Sequence, residues 1–236
     1  MIETKNLTKK YGDKTAVDNL SLSVMDGELF ALLGVNGAGK TTTIRMLSCL
    51  SEPTSGEAFI DGHNCLTDSI SVKSIIGISP QETSVAENLT VRENLEFMAQ
   101  VYGLEKSRAD DMIKLFSMQE VGKSRAKTLS GGWKRKLSIA MALISEPKVL
   151  FLDEPTLGLD VLARRELWKA IGTLKGRITI ILTTHYMEEA EALSDRIAIM
   201  IDGKISACGT LPELEEISGQ KGLENVFVSI AERSRS

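Results

Sequence analysis

The sequence predicts an α/β fold whose mainly parallel sheet is covered by helices on both faces, and three features predict it. Residues 28–50 read as an apolar strand, a glycine-rich loop and a helix, the opening of a parallel α/β unit. The run Val149-Leu150-Phe151-Leu152 is apolar throughout and ends in two carboxylates, Asp153 and Glu154. From residue 146 onward, short apolar runs alternate with amphipathic stretches.

In chain order, Thr15 to Val24 and Glu57 to Ile60 alternate with the two-residue period of strands, set off by the turn pairs Asp26-Gly27 and Asp61-Gly62. Glu28 to Leu33 is a strand and Lys40 to Leu50 a helix. Residues 87–145 read differently. Thr90 and Glu93 have capping-box spacing, Leu95, Met98, Val101 and Tyr102 recur at helical spacing, and Leu115 and Met118 continue it. This predicts a mostly helical insertion.

After the insertion come a buried strand at Lys148 to Leu152 and a helix at Val161 to Thr173 capped by Asp160, in which Trp168 reads as packing beside Leu167 and Ile171. An apolar strand at Ile178 to Leu182, a Glu-rich helix at His185 to Leu193 and a last core strand at Arg196 to Ile201 follow. Beyond Gly219, the residues Leu223, Val226, Phe227 and Ile230 share one face of a short amphipathic helix, expected to dock on its own domain. The closing Arg-Ser-Arg-Ser is expected to fray. The partition is one domain over 1–236, with core regions 1–86 and 146–218, a helical subdomain at about 87–145 and an amphipathic tail at 219–236.

The chain has 236 residues, 42% hydrophobic and 25% charged, with 19 Gly and 5 Pro, which excludes disordered and collagen-like classes. Its net charge of −4 argues against a dedicated nucleic-acid binder. Cys49, Cys65 and Cys208 are far apart, odd in number and form no CxxC pair, so neither a disulfide framework nor a zinc site is expected and a reducing cytoplasm fits. His63 and His185 are too few for a His-rich metal site, and His63 reads as an exposed loop residue. The polar N-terminus shows no secretory signal, and the longest apolar runs are strand-sized against the ~20 residues of a bilayer span. The expectation is a chain that crosses no membrane itself.

Gly34-Val35-Asn36-Gly37-Ala38-Gly39-Lys40-Thr41 matches G-x-x-x-x-G-K-[ST] in full and is followed by Thr42. A polyphosphate has to be wrapped by backbone N–H groups, and side chains obstruct that approach, so glycines are required. The following helix turns its N-terminus and dipole toward the anion. Lys40 neutralises the phosphates, and Thr41 offers a hydroxyl to Mg²⁺.

Asp153 and Glu154 stand at the C-terminal end of a buried strand, where open α/β sheets bind ligands. Asp153 suits a Mg²⁺-linked water or a direct metal contact. Glu154, pointing the other way along the pleat, suits polarisation of an attacking water. Leu129-Ser130-Gly131-Gly132-Trp133 is a further Ser/Gly turn before an apolar helix, a second anion-binding helix start. Lys123, Arg125, Lys127, Lys134, Arg135 and Lys136 surround it, and no acid occurs from Val121 to Ser145. That favours a phosphate-facing field.

On these motifs the chain resembles the ATP-binding subunit of an ABC transporter. The loop at Gly34–Thr41 is its Walker A, the strand ending at Asp153-Glu154 its Walker B, and Leu129 to Gly132 its signature loop. Gln81, in Ile78-Ser79-Pro80-Gln81, resembles the Q-loop glutamine that touches Mg²⁺ and water. Pro155 to Asp160 resembles the D-loop, and Thr184-His185 the switch histidine at the γ-phosphate. Tyr11, ahead of Gly12-Asp13, resembles the aromatic that stacks on adenine. One departure is plain: the signature usually ends in Gln, and here Trp133 stands there, bulkier and only a donor.

The resemblance implies a P-loop NTPase (RecA-like) core, an N-terminal antiparallel β subdomain and a helical subdomain. It implies ATP and Mg²⁺ as ligands, with Glu154, His185 and Lys40 catalytic and Thr41, Gln81 and Asp153 toward the metal. Two cassettes, identical or not, would face each other head to tail, each ATP lying between one P-loop and the other's signature loop. The permease would be a separate transmembrane subunit, the location the inner face of the cell membrane, and the membrane contact made only through that permease, with no nucleic acid.

Leu223-Glu224-Asn225-Val226-Phe227 and Tyr186 to Glu191 are similar to bacterial drug- and polysaccharide-export ATPases. DNA-repair relatives carry long coiled-coil or zinc insertions, translation relatives carry two cassettes, and small-molecule kinases lack the signature loop. A non-hydrolytic nucleotide-binding regulator is the alternative from another class, and Trp133 is its support.

Overall fold

The computed structural model describes residues 1–235, and these form two compact units: residues 1–74 with the chain from Lys175 onward, and Ile75–Leu174. The first unit begins with β1 (Ile2–Tyr11), β2 (Lys14–Val24), β3 (Leu29–Leu33), α1 (Lys40–Leu47), β4 (Ser55–Ile60), β5 (His63–Asn64) and α2 (Ser69–Ile75). The second unit runs through β6 (Ile76–Ser79), α3 (Val91–Val101), α4 (Arg108–Leu115), α5 (Gly131–Leu143), β7 (Val149–Asp153) and α6 (Val161–Gly172). The chain then returns to the first with β8 (Thr179–Thr184), α7 (Met187–Leu193), β9 (Arg196–Ile201), β10 (Lys204–Gly209), α8 (Leu211–Ser218) and α9 (Leu223–Arg235).

In the first unit β2, β1, β4 and β5 form an antiparallel sheet in that order. β3 pairs in parallel with β8 on one side and β9 on the other, and β10 closes the edge antiparallel to β9. Every residue of β3 is buried, as a parallel strand covered on both faces requires. The tail docks as its apolar face predicts. Leu223, Val226, Phe227 and Ile230 are buried in one cluster with Ala31, Leu33, Ile197, Ile199 and Leu214.

The second unit pairs β6 with β7 in parallel, from Ile76↔Val149 to Ser79↔Leu152. α3 starts with the expected capping box, Thr90 and Glu93 satisfying each other's backbone N–H. Donation from the Thr90 N–H holds the Glu93 carboxyl below the usual glutamate range. α6 starts at Asp160 as expected, with Oδ1 accepting from Leu162 N and Ala163 N at 2.9 Å. Leu167 and Ile171 are buried, whereas Trp168 is only half-buried.

Several sequence expectations change in detail. β1 adds a strand that the sequence reading does not name, because bulges shift its register between Thr4 and Lys10, with Asn6 at φ +50°, and so break its alternation. The helix after the glycine loop stops at Leu47, since Cys49 turns left-handed at φ +58° and the N–H groups of Leu50 and Ser51 fold back to Arg45 O. α7 begins at Met187, which leaves His185 outside the helix. His63 is not a free loop residue: it lies in β5 with Nδ1 2.7 Å from Asp68. Arg233 and Ser234, in the segment expected to fray, continue α9 and make contacts. Arg233 donates to Ile217 O and Ser218 O at 3.1 and 2.8 Å, and Ser234 bonds Ser206. Ser236 lies outside the described residues.

All three cysteines are free thiols. Burial pushes Cys65 up to about 12 and raises Cys49 and Cys208 as well. A thiol below its pKa is protonated and a poor nucleophile. The native chain at pH 8 is therefore expected to react slowly with iodoacetamide, Cys65 slowest of the three, with all three labelled fast in denaturant; peptide mapping of a labelling time course checks this. Phe227→Ala opens a cavity under α9 and is expected to cost about 3–5 kcal/mol in urea unfolding.

Candidate functional site

β3 delivers the glycine loop at its C-terminal end. The Gly34 N–H donates to Thr184 O at 3.2 Å, so the loop leaves the sheet beside the end of β8. Val35, Asn36 and Gly37 are exposed at the rim, while Gly34, Ala38 and Lys40 are buried. The loop is packed from below. A Cβ on Gly34 would lie 2.5 Å from Met200 O, and one on Gly39, at φ +104°, would lie 2.4 Å from Ala16 O. Ala38 O accepts from Gly203 N at 3.1 Å.

α1 starts on Gly39 without a side-chain cap, which leaves its first N–H groups directed at the loop. Thr43 instead bonds backward, with Oγ1 to Gly39 O at 3.1 Å. Lys40 is 5% exposed. Its ammonium donates to Gly34 O and Val35 O at 2.7 and 3.2 Å, which stations the charge inside the loop. Thr41 is exposed and Thr42 half-buried on the first turn.

Tyr11 ends β1 and is 49% exposed. Lys9 Nζ lies 5.1 Å from its ring centroid and is anchored on Glu52 O at 2.6 Å, so one ring face is braced by a cation. His185 follows β8 directly. It is half-buried, with its ring 4.1 Å from that of Tyr186.

In the second unit the pairing Ser79↔Leu152 brings the ends of β6 and β7 together, and with them Pro80-Gln81 and Asp153-Glu154. Asp153 and Glu154 are both buried. The pleat argument for Glu154 fails, because β7 ends at Asp153 and Glu154 turns out of it at φ +50°. Gln81 is exposed.

Leu129 is half-buried and precedes Ser130, the N-cap of α5, whose Oγ accepts from Trp133 N at 3.5 Å. Gly131 is exposed at the helix start, and Gly132 is half-buried. The lack of local acids suggests an open phosphate-facing field, and Lys123, Arg125 and Lys127 are exposed, but the second half of the run is engaged. Distant acids reach it: Lys134 pairs with Glu87 at 3.1 Å and Lys136 with Glu166 at 2.8 Å. Lys136 Nζ also lies 4.4 Å from the centroid of the Trp133 ring, and Arg135 is buried.

The sequence pattern of the family described as ABC transporter matches residues 17–157, more than half of the chain. The daunorubicin resistance ATP-binding protein DrrA3 of Streptomyces coeruleorubidus is 41% identical over 224 residues, covering 93% of this chain and 71% of that protein. The chain belongs to the ABC transporter family.

The cassette is also 43% identical over 217 residues to human phospholipid-transporting ATPase ABCA3, covering 89% of the cassette but only 13% of that relative's length. Among solved structures, the dimeric post-hydrolysis state of the ATP-binding cassette MJ0796 bound to ADP and Pi matches with a TM-score of 0.80 and 27% identity. That match covers 89% of this chain and 99% of the other. The fold is that of the family's nucleotide-binding domains, a P-loop NTPase fold. No helix among the described residues is long and apolar enough to cross a membrane.

Two contributors to the site are absent from the motifs. The end of β9 and the turn after it support the loop through Met200 and Gly203, and the Asp202-Gly203 pair is a hairpin signal that reveals the turn but not what lies over it. Arg135 stood in the basic run, where nothing local separated it from its neighbours. Gly39→Ala sets a methyl against Ala16 O in a left-handed backbone. Strain of order 1–3 kcal/mol is expected to lower ATP affinity about ten-fold or more, read by equilibrium binding of a fluorescent ATP analogue beside a circular-dichroism check of the fold.

Proposed function

We propose that this cassette binds Mg-ATP in its glycine loop, closes on a second cassette around the nucleotide, and hydrolyses it to drive a transporter, an exporter, whose membrane-spanning part is a separate subunit. The observation that carries the reading is that one chain holds two glycine-lined helix starts: the packed loop before α1 with Lys40 inside it, and the exposed turn at Ser130-Gly131-Gly132 before α5. A triphosphate has two faces, and one loop supplies donors to one of them. The second turn suits the nucleotide of a facing cassette. Exporter function is supported by the similarity to DrrA3, and the pairing of two cassettes by that to dimeric MJ0796.

In this reading the backbone N–H groups from Gly34 to Thr42 hold the phosphates, and Tyr11 offers its free face to adenine. Lys40 moves from the loop carbonyls to the phosphate oxygens. Glu154 takes the proton of the attacking water or orients it, and His185 holds the γ-phosphate end. The donor types that the motifs name suit magnesium, a cation that takes oxygen ligands. Among the described residues no group of three His, Cys, Asp or Glu could hold a metal ion. A hydroxyl (Thr41), an amide oxygen (Gln81) and one carboxylate (Asp153) would instead hold Mg²⁺ and leave positions for phosphate oxygens and water. When bound, the ion neutralises phosphate charge. The location that follows is the inner face of the cell membrane, against the permease.

Glu154→Gln is expected to retain ATP binding and lose about 10²–10⁴-fold in turnover, measured as phosphate release with Mg-ATP. Undiminished turnover removes Glu154 from the chemistry. A wild-type chain that binds ATP but releases no phosphate, even with its permease, returns the reading to a non-hydrolytic regulator.

A further inference from the structure

Arg135 sits on the second turn of α5, 4% exposed. Its guanidinium reaches four backbone carbonyls on two separate segments. After β7, Nη2 donates to Asp153 O at 2.5 Å and Nε to Pro155 O at 2.8 Å. After β6, Nη1 donates to Gln81 O at 3.3 Å and also to Pro80 O. The first pair flanks Glu154, whose φ of +50° is a conformation that a residue with a Cβ seldom holds without support. The second pair ends on Gln81.

The planar fork of a guanidinium directs five N–H groups outward and spans carbonyls on different segments at once. An ammonium has all three donors on one atom. α5 is itself fastened to β6, since Ser138 Oγ lies 3.0 Å from Ser79 Oγ in the buried interior. Three residues before Arg135 is Gly132, the end of the signature turn.

The geometry points to Arg135 as a positioning residue for hydrolysis: by gripping the backbone on both sides of Glu154 and at Gln81, it holds the water-activating carboxylate and the metal-facing amide in one arrangement. It also links that arrangement to the helix that begins at the signature turn. The inference rests on the proposed role of Glu154. A displaced carboxylate does not change how the glycine loop or Tyr11 holds ATP, so loss of the grip falls on turnover and spares affinity. A purely structural arginine loses stability without that split.

The test compares Arg135→Lys, Glu154→Gln and the double variant in the full chain, reading ATP affinity, KM, turnover and melting temperature. Lysine keeps the stem and the charge but not the fork. Arg135→Lys is expected to lose about 10²-fold in kcat, with KM and ATP affinity within about two-fold of wild type. In the Glu154→Gln background the same change is expected to lower turnover less than two-fold, because the group it positions is already gone. Normal kcat beside a lowered melting temperature overturns the inference, as do equal fold-losses in both backgrounds. So does an Arg135→Lys chain that fails to fold, which makes the guanidinium a requirement of the fold rather than of the site. Failure of the underlying reading is separate: it shows as full turnover in Glu154→Gln alone.

Discussion

A glycine loop that wraps an anion needs its backbone bare on the ligand side and held rigid on the other. This second demand shapes the first unit. Gly34 and Gly39 are tight because Met200 and Ala16 carry the loop from beneath. Those supports stand where they do because β9 pairs in parallel with β3, and because β2 runs past the start of α1. The wholly buried β3 ends at one level with β8, so Thr184 receives the first loop N–H and His185 follows next in the chain. A change in the pairing of these strands would loosen the loop and displace the histidine together.

The second unit meets a similar demand by other means. Its carboxylate leaves the strand in a left-handed turn, a conformation that side-chain alternation does not specify. Backbone carbonyls on either side of that turn accept from one guanidinium on α5. Elements at the signature turn, after β6 and after β7 are thereby joined through a single buried side chain. That joining is a physical basis for relating events at the signature turn to the chemistry proposed for Glu154.

Cations show how far local sequence carries an argument about electrostatics. From Val121 to Ser145 the chain has no acid, and the simplest account was a field left over for phosphate. In the fold Lys134 and Lys136 meet carboxylates from Glu87 and Glu166, far off in sequence, and Arg135 points into backbone carbonyls. Trp133, the one departure from the family's signature, has its ring beside Lys136. Composition names the charges, and only contacts over long sequence separation say which of them face a ligand.

The amino-acid sequence by itself determined the chemistry and the class of fold. Gly34–Thr41 is legible because an anion cradle needs glycines, a lysine and a hydroxyl at set spacing. β3, β7 and β9 are legible because strands buried on both faces carry unbroken apolar runs, and α3 and α6 because Thr90 and Asp160 cap them locally. The tertiary structure decided what depends on partners distant in the chain. β1 is paired despite bulges that erase its alternation, β6 is too short to register, and His63 is tied to Asp68. Arg233 ties α9 to the end of α8, and Arg135 is singled out from the surrounding lysines by four carbonyls. The physical reason is the same in each case. Spacing records interactions between neighbours in sequence, whereas burial, backbone support and charge pairing are settled by groups that meet only when the chain has folded.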